Sequence, residues 1–253
     1  TSYELLQMGQ QLAAKFGLHS AIVVNGNESY PPAAISEAAL AASNYLTSIL
    51  KDQDLIGVGM GNAVFKMLDY IRAKPSVSAD VIQIQGNSVR SQLYAQGSYI
   101  VLEFARRLGG TAYLMHAPLS VNSKLLRSLM MEERFMQSHF NRLEKMTVAL
   151  IGIGTDELRY DNDDVCNFGE NFHPASNICS NFFDINGEPI ETEYSLHTFS
   201  VSTETLKNTP EVIALAVGAK KKEAVLSAVR SGIIKSLITD DRIAAYLLAA
   251  ENA

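Results

Sequence analysis

The sequence predicts an α/β fold with three Rossmann-like layers, in which helices cover both faces of a mostly parallel sheet. Short apolar runs rich in Val and Ile alternate along the chain with longer runs of helical periodicity. The short runs are apolar on both faces, as strands of a parallel sheet buried between two helical layers must be. Seven runs are predicted as strands: residues 21–24, 55–58, 81–84, 112–115, 148–151, 212–217 and 234–239.

The predicted helices fill most of the intervals between these strands. In the first of them, Leu5, Leu12 and Phe16 recur at nearly helical spacing. Pro31 and Pro32 begin a long Ala-rich helix, because proline is favoured in the first helical turn. The predicted helices are residues 3–16, 31–50, 62–73, 91–108, 122–144, 220–230 and 240–250.

Residues 156–209 depart from this alternation, because they are rich in predicted loops. Within them, residues 182–189 predict a strand that runs into an Asn-Gly turn at Asn186 and Gly187. We interpret residues 156–209 as an insertion in one domain that spans residues 1–253.

The composition argues against several classes of function. The 253 residues carry a net charge of −6, whereas a protein that neutralises nucleic-acid phosphates needs a basic surface. No apolar run approaches the roughly 18 residues of a membrane span. The two cysteines, Cys166 and Cys179, lack a Cys-x-x-Cys spacing, which is typical of a cytoplasmic protein.

Four turns follow strands of the predicted sheet and are candidates for a binding site. Ligands of open parallel sheets bind beyond the carboxyl ends of the strands, where helix N-termini converge. The four turns are residues 57–62, 85–87, 152–155 and 217–222.

The first turn, Gly-Val-Gly-Met-Gly-Asn, does not have the pattern of a nucleotide site. A dinucleotide fingerprint requires glycine where Asn62 stands, and a phosphate-binding loop requires a Gly-Lys pair that is absent here. Asp80 has the right separation for a ribose-binding acid but begins its strand instead of ending it. Two readings stay open: the amides at the helix start bind an anion or polar ligand, or the turn is structural.

The fourth turn places Lys220, Lys221 and Lys222 at the start of a helix. Cations there oppose the helix dipole, by about 0.3–1 kcal/mol each when exposed. An anionic ligand would relieve this at one of them; the alternative is a solvated basic corner.

No catalytic, metal or cofactor site is predicted. The five histidines have no metal-binding spacing, and residues 160–164 resemble a calcium loop only at its start, since Cys166 and Phe172 replace the required Gly and Glu. No nucleophile, base and oxyanion donor assemble, which favours binding over catalysis.

Seven motifs in fixed order resemble the SorC family of bacterial transcriptional regulators. The resemblance covers nearly the whole chain and is to the C-terminal sugar-binding domain of the family. The motifs are residues 57–61, 81–86, 116–119, 151–154, 182–187, 216–225 and 237–240.

This resemblance implies a fold similar to glucosamine-6-phosphate deaminase and ribose-5-phosphate isomerase. It implies a sugar or sugar-phosphate effector, with an L-sorbose-like ketose as one candidate, and assembly into homodimers or homotetramers. It also implies that the effector controls operator DNA binding by an N-terminal helix-turn-helix domain. We expect that domain to be absent from this chain, which begins at Thr1.

The resemblance also assigns site residues. Family members often have Thr after the glycine turn, Arg or Lys at position 85 and Asp at position 177, where this chain has Asn62, Gln85 and Asn177. Lys221 matches the lysine of the family's sugar site. The predicted effector-binding residues are Gly59, Met60, Gly61, Asn62, Ala63, Gln85, Gly86, Asn87, Gly154, Thr155, Asn177, Gly218 and Lys221.

Two hypotheses follow for the function. The first is an effector-binding domain of a sugar-responsive regulator, and the second is an isomerase or deaminase on the same fold. The enzyme would require a carboxylate base beside the sugar phosphate, and the four turns supply glycines, amides and a lysine but no Asp or Glu at the matched positions.

Overall fold

The main sheet has seven strands, and every neighbouring pair in it is parallel. The computed structural model describes residues 1–26, 31–72, 77–88, 97–155 and 172–251. Its strands are β1 (Ser20–Val24), β2 (Leu55–Val58), β3 (Asp80–Gln83), β4 (Ala112–Tyr113), β5 (Val148–Gly152), β9 (Glu211–Ala216) and β10 (Ser236–Asp240). They lie in the order β1-β10-β9-β5-β2-β3-β4.

Helices cover both faces of this sheet, which confirms the predicted three-layer class. Side chains alternate along each strand: Ala149 and Ile151 of β5 join one apolar cluster, while Val148 and Leu150 join the other. The helices of the described residues are α1 (Ser2–Phe16), α2 (Pro31–Ile49), α3 (Asn62–Met67), α4 (Gly97–Leu108), α5 (Lys124–Glu132), α6 (Arg134–Leu143), α7 (Thr203–Asn208), α8 (Lys222–Arg230) and α9 (Asp241–Ala249). The first cluster includes residues of α1, α6, α8 and α9, and the second includes residues of α2, α3 and α4.

A small antiparallel sheet lies within the region read as an insertion. Its strands are β6 (Ser176–Ile178), β7 (Asn181–Phe183) and β8 (Pro189–Ile190). The Asn-Gly turn predicted between β7 and β8 is present, with Gly187 at φ 83° and its amide bonded to the Asp184 carbonyl. Phe172, Phe182 and Tyr194 form a separate aromatic cluster on this unit. Residues 156–171 of the expected insertion lie outside the described residues.

The helix predicted over 122–144 is instead two helices, which corrects that prediction. The backbone of Glu133 is extended (φ −65°, ψ 137°) and separates α5 from α6. Helix α5 buries no residue, whereas α6 buries Met136, His139 and Leu143. The break therefore lets α6 turn its apolar side onto the core, independently of the direction of α5.

Two other elements are shorter than predicted. Helix α3 ends at Met67, and residues 68–71 continue as hydrogen-bonded turns. Strand β4 ends at Tyr113, because the amide of Met115 bonds to the side chain of Gln83 and not to the β3 main chain. The predicted start of the helix at 91–108 lies outside the described residues, which resume at Gly97.

Within the described ranges, no helix combines the length and the apolarity that crossing a membrane requires.

Candidate functional site

The four predicted turns lie side by side at one edge of the main sheet. They follow β2, β3, β5 and β9, which are consecutive in the order β9-β5-β2-β3. Because all these strands are parallel, their carboxyl ends share that edge. After β2 the chain builds β3 and β4 on one side and then returns to place β5 on the other side. Such a reversal of strand order is where open α/β sheets open a crevice for a ligand.

The glycine turn after β2 leads directly into helix α3. Gly61 precedes the helix with φ 147°, a conformation that favours glycine, and its carbonyl accepts the amide of Phe65 at 2.8 Å. No side chain caps this helix. Among the described residues, the amides of Gly61, Asn62 and Ala63 have no hydrogen-bond partner. These three amides can therefore donate to a ligand in the crevice.

The main-chain amide of Gly59 has a different role from the one predicted. Its amide donates to the carbonyl of Leu150 at 2.9 Å and so extends the β2–β5 ladder. That amide is therefore not available to an effector, which corrects the expectation that it binds one. A Cβ atom at Gly59 would lie 3.4 Å from the Leu150 carbonyl oxygen and 3.6 Å from the Oε1 atom of Gln85, so this position faces Gln85.

Gln85 connects the sheet edge to the small antiparallel sheet. Its side chain is buried, 7% exposed, and its Nε2 lies 3.3 Å from the Oγ of Ser180. The amide of Ser180 in turn donates to the Oδ1 of Asn177 at 2.9 Å. Ser180 lies in the tight turn between β6 and β7, with φ 64°.

Asn177 and Gly154 pair through their main chains. Each amide donates to the carbonyl of the other residue, at 2.9 and 3.0 Å. The side chain of Asn177 is buried, 6% exposed, and its Nδ2 has no hydrogen-bond partner among the described residues. Thr155 follows Gly154 and is half-buried. The turn after β5 and the hairpin are thus joined at this edge.

Lys221 extends toward the same edge, whereas its two neighbours do not. Its Nζ donates to the carbonyl of Ile153 at 2.8 Å, one residue before Gly154, and the residue is half-buried. Lys220 and Lys222 are exposed, and the Nζ of Lys222 lies 5.0 Å from the ring centre of Tyr246. One cation therefore stands beside the Asn177–Gly154 pair.

Two predicted glycines have amides that already serve the fold. The amide of Gly86 donates to the Phe199 carbonyl, and a side chain at this position would lie 2.1 Å from the Pro118 carbonyl oxygen. The amide of Gly218 donates to the carboxylate of Asp240. We therefore assign no ligand contact to either amide. The turns after β2 and β5 are also close to each other, since a Cβ atom at Gly152 would lie 3.8 Å from the carbonyl oxygen of Met60.

Gln83 is a buried polar residue at this edge that sequence reasoning missed. It is fully buried, and its side chain bonds to the main chain of Gln85, the side chain of Asn87 and the amide of Met115. A polar residue inside an otherwise apolar strand was the available signal, because a buried amide must have partners. Ser180 carried no comparable signal, since serine is common in turns.

A buried histidine supports the same strand. The Nε2 atom of His139 lies 2.8 Å from the carbonyl oxygen of Gln83, and because a carbonyl only accepts, Nε2 carries a proton and donates it. Burial lowers the pKa of His139, and the charge of Arg142 lowers it further. The ring is therefore a neutral donor that completes the polar network beneath the site.

A concavity of about 360 Å³ lies away from these turns, along the outer side of α6, and is lined by Arg134, Gln137, Ser138, Asn141, Arg142 and Lys145. It contains no converging buried polar groups. Arg142 and Lys145 come shortly before β5, at the opposite end of that strand from the four turns. We therefore place the candidate site at the carboxyl edge.

Comparison with known proteins identifies the family of this fold. Residues 2–249 match the Sugar-bind family, described as a "putative sugar-binding domain". The chain is 27% identical to the sorbitol operon regulator of Klebsiella pneumoniae over 97% of this chain and 81% of that protein. It is 24% identical to the erythritol catabolism regulatory protein EryD of Brucella abortus, over 98% of this chain and 81% of that one.

The structure of the full-length sorbitol operon regulator SorC from Klebsiella pneumoniae has the same fold. The two superpose with a TM-score of 0.87 at 27% identity, over 97% of this chain and 81% of that chain. The chain thus belongs to the sugar-binding domain family of the SorC-type transcriptional regulators, in which it has the role of the effector-binding domain.

Proposed function

We propose that this domain binds a sugar or sugar phosphate in the crevice between the glycine turn, Gln85, the Asn177–Gly154 pair and Lys221. The continuous hydrogen-bonded path from Gln85 through Ser180 and Asn177 to Gly154 supports this proposal most directly. It joins the hairpin to two strand ends, so a ligand that contacts both sides would change how the hairpin sits on the sheet.

The chemistry of these groups suits a hydroxyl-rich ligand. Amide side chains at positions 85 and 177 offer neutral donors and acceptors, which match sugar hydroxyls. Lys221 supplies a positive charge that would favour a phosphate or a cluster of sugar oxygens. An L-sorbose-like ketose or a linear polyol, free or phosphorylated, is therefore the class that we propose.

In the full regulator, we propose that binding here alters the DNA affinity of a helix-turn-helix domain N-terminal to this chain. The relatives named above are regulators, and this chain spans 81% of each of the two. Their DNA-binding role comes to this chain by family membership. Footprinting of the full-length regulator on its own promoter, with and without the sugar, tests this part.

We propose binding without turnover. The side chains assigned to the crevice are those of Gln85, Asn87, Ser180, Asn177 and Lys221, none of which is a carboxylate. The nearby carboxylate of Asp240 already accepts the main-chain amides of Gly218, Arg242 and Ile243. An isomerase or deaminase would need a carboxylate base there. Conversion of glucosamine-6-phosphate or ribose-5-phosphate by the purified domain would overturn this part of the proposal.

A thermal-shift screen tests sugar binding directly. The panel contains L-sorbose, D-sorbitol, erythritol and their terminal phosphates, with inorganic phosphate as the control for a purely anionic effect. A sugar present at 100 times its dissociation constant stabilises the fold by about 2.7 kcal/mol. If no sugar or sugar phosphate raises the melting temperature above the phosphate control, the proposed ligand class is wrong.

We also propose that the regulator self-associates, and α5 is the surface to test. Leu125, Leu126 and Leu129 of this helix are each about half exposed or more, and Leu196 beside it is 49% exposed. Clusters of exposed apolar side chains mark interaction sites. We expect Leu129→Lys to lower the molar mass measured by light scattering. Leu102→Lys, on the comparably exposed Leu102 of α4, should leave it unchanged.

A further inference from the structure

Gln83 lies at the last position of β3 and has no exposed surface. A buried carboxamide costs free energy unless its oxygen and its NH2 group both have partners. In Gln83, both the oxygen and the NH2 group have hydrogen-bond partners. The Oε1 atom accepts the Met115 amide at 3.0 Å, and the Nε2 atom donates to the Gln85 carbonyl at 2.7 Å and to the Oδ1 of Asn87 at 3.0 Å.

The orientation of this carboxamide has only one solution. The Met115 main-chain amide can only donate, so the atom facing it must be the oxygen of Gln83. The Gln85 carbonyl can only accept, so the atom facing it must be the nitrogen. Gln83 therefore presents an N–H group, and never an oxygen, to Asn87.

The orientation of Asn87 follows from that of Gln83. Its Oδ1 accepts from the Nε2 of Gln83 at 3.0 Å and from the main-chain amide of Ser98, at the start of α4, at 3.1 Å. Two donors on one oxygen leave the Nδ2 group as the free end of the side chain, and the described residues offer it no partner. Asn87 is half-buried, so this NH2 group can still meet a ligand.

Asn87 and the glycine turn are neighbours through Gly97. A side chain at Gly97 would lie 3.0 Å from the Nε2 of Gln83 and 3.2 Å from the Cγ of Met60. The hydrogen-bonded side chains of Gln83 and Asn87 therefore lie beside the glycine turn that leads into α3.

We infer that Gln83 is a positioning residue of the effector site: without touching the sugar, it holds Asn87 with its NH2 group toward the crevice, so that this position selects a ligand atom that accepts a hydrogen bond. The side chain of Asn177 is oriented in the same way, because its Oδ1 accepts the Ser180 amide and its NH2 group remains as the donor. The two asparagines then act as fixed donors. Carbonyl, ring, hydroxyl and phosphate oxygens of a sugar all satisfy them. The inference rests on the proposed sugar site.

The first test needs no ligand and measures the orientation. A long-range HNCO spectrum detects coupling through a hydrogen bond, from a donor nitrogen to the acceptor carbon. We expect correlations from the Ser98 nitrogen and from the Gln83 Nε2 to the side-chain carbonyl carbon of Asn87. Absence of both, or an Asn87 NH2 group as protected from solvent exchange as that of Gln83, would overturn the inference.

The second test measures whether Gln83 acts through Asn87 on binding. Titrations of the intact chain use the member of the sugar panel that gives the largest thermal shift. Gln83→Met and Asn87→Ala should each weaken binding about tenfold. The double variant should be no weaker than Asn87→Ala alone, because the effect of Gln83 passes through Asn87. Multiplied losses in the double variant, or full affinity in Gln83→Met, would refute the inference.

A replacement variant and a control variant complete the second test. If Gln83→Met does not fold, Gln83→Glu takes its place in the cycle, because a glutamate side chain keeps the acceptor for Met115. Asn186→Ala serves as the control, because Asn186 is exposed in the turn between β7 and β8 and has no place in the proposed site. If no sugar of the panel binds, the proposed function is what fails, and the spectrum alone decides the orientation.

Discussion

The main chains of Gly154 and Asn177 are hydrogen-bonded in both directions, at 2.9 and 3.0 Å, although the two residues are 23 positions apart. This bridge fastens the hairpin to the end of β5, next to the carbonyl that accepts the Nζ of Lys221. In the proposed site, the hairpin is therefore one wall of the crevice and the sheet edge is the other. A sugar bound there would contact both the hairpin and the sheet.

Asn177→Asp should shift the ligand preference toward unphosphorylated sugars. An aspartate keeps an oxygen for the Ser180 amide, so the turn is retained, but it replaces the NH2 donor with negative charge. At an effective dielectric constant of about 20, a charge roughly 8 Å from a phosphate costs about 2 kcal/mol. The ratio of dissociation constants for L-sorbose and its phosphate measures the shift. An unchanged ratio, or the same shift in Asn186→Asp on the exposed turn between β7 and β8, would place Asn177 outside the site.

Lys221→Ala should weaken effector binding by about 1.5–3 kcal/mol, the range for a hydrogen bond to a charged group. The alanine removes the only one of the three adjacent lysines whose Nζ reaches the end of β5. Lys220→Ala and Lys222→Ala are matched controls, because both lysines are exposed on the same turn. Isothermal titration of the three variants measures the difference. Equal losses in all three would indicate a diffuse electrostatic effect and not a contact.

Much of the fold could be predicted from the sequence because it rests on local patterns. Apolar runs and helical periodicity located all seven strands of the main sheet, and the rule for parallel sheets brought the four candidate turns to one edge. The break at Glu133 was missed, because the residues around it have ordinary helical character and only the packing of α6 separates the two helices.

The details of the site depend on contacts that no local pattern encodes. The amide of Gly59 is occupied because β5, and not another strand, lies beside β2. The partners of Gln83 exist because β4 diverges from β3 and leaves the Met115 amide to a side chain. The order of strands in the sheet decides both, and one sequence without relatives does not reveal that order.

Gly86→Ala should destabilise the domain by about 1–3 kcal/mol or more, the usual cost of overpacking. The new methyl group would lie 2.1 Å from the Pro118 carbonyl oxygen and 2.5 Å from its carbon, and main-chain atoms cannot move aside cheaply. Gly152→Ala is the control at the end of a nearby strand, since its nearest neighbour would be 3.8 Å away. Urea denaturation of both variants measures the contrast. Comparable urea midpoints for the two variants would show that the segment at Pro118 moves aside with little loss of stability.

The stability of the domain should fall as the pH is lowered from about 7.5 to 5, and His139 should contribute to that fall. Burial lowers the pKa of His139 in the folded state, whereas the unfolded chain titrates near 6.5. Below that pH the unfolded state binds a proton that the folded state does not, so the free energy of unfolding decreases. One such proton contributes at most about 1.4 kcal/mol per pH unit. The loss continues until the pH reaches the lowered pKa of the folded state.

The substitution His139→Gln removes the titrating ring while keeping a donor for the Gln83 carbonyl. Urea denaturation at several pH values should therefore give a shallower pH dependence for the variant than for the wild type. Parallel curves would mean that the buried ring takes up its proton without cost to the fold.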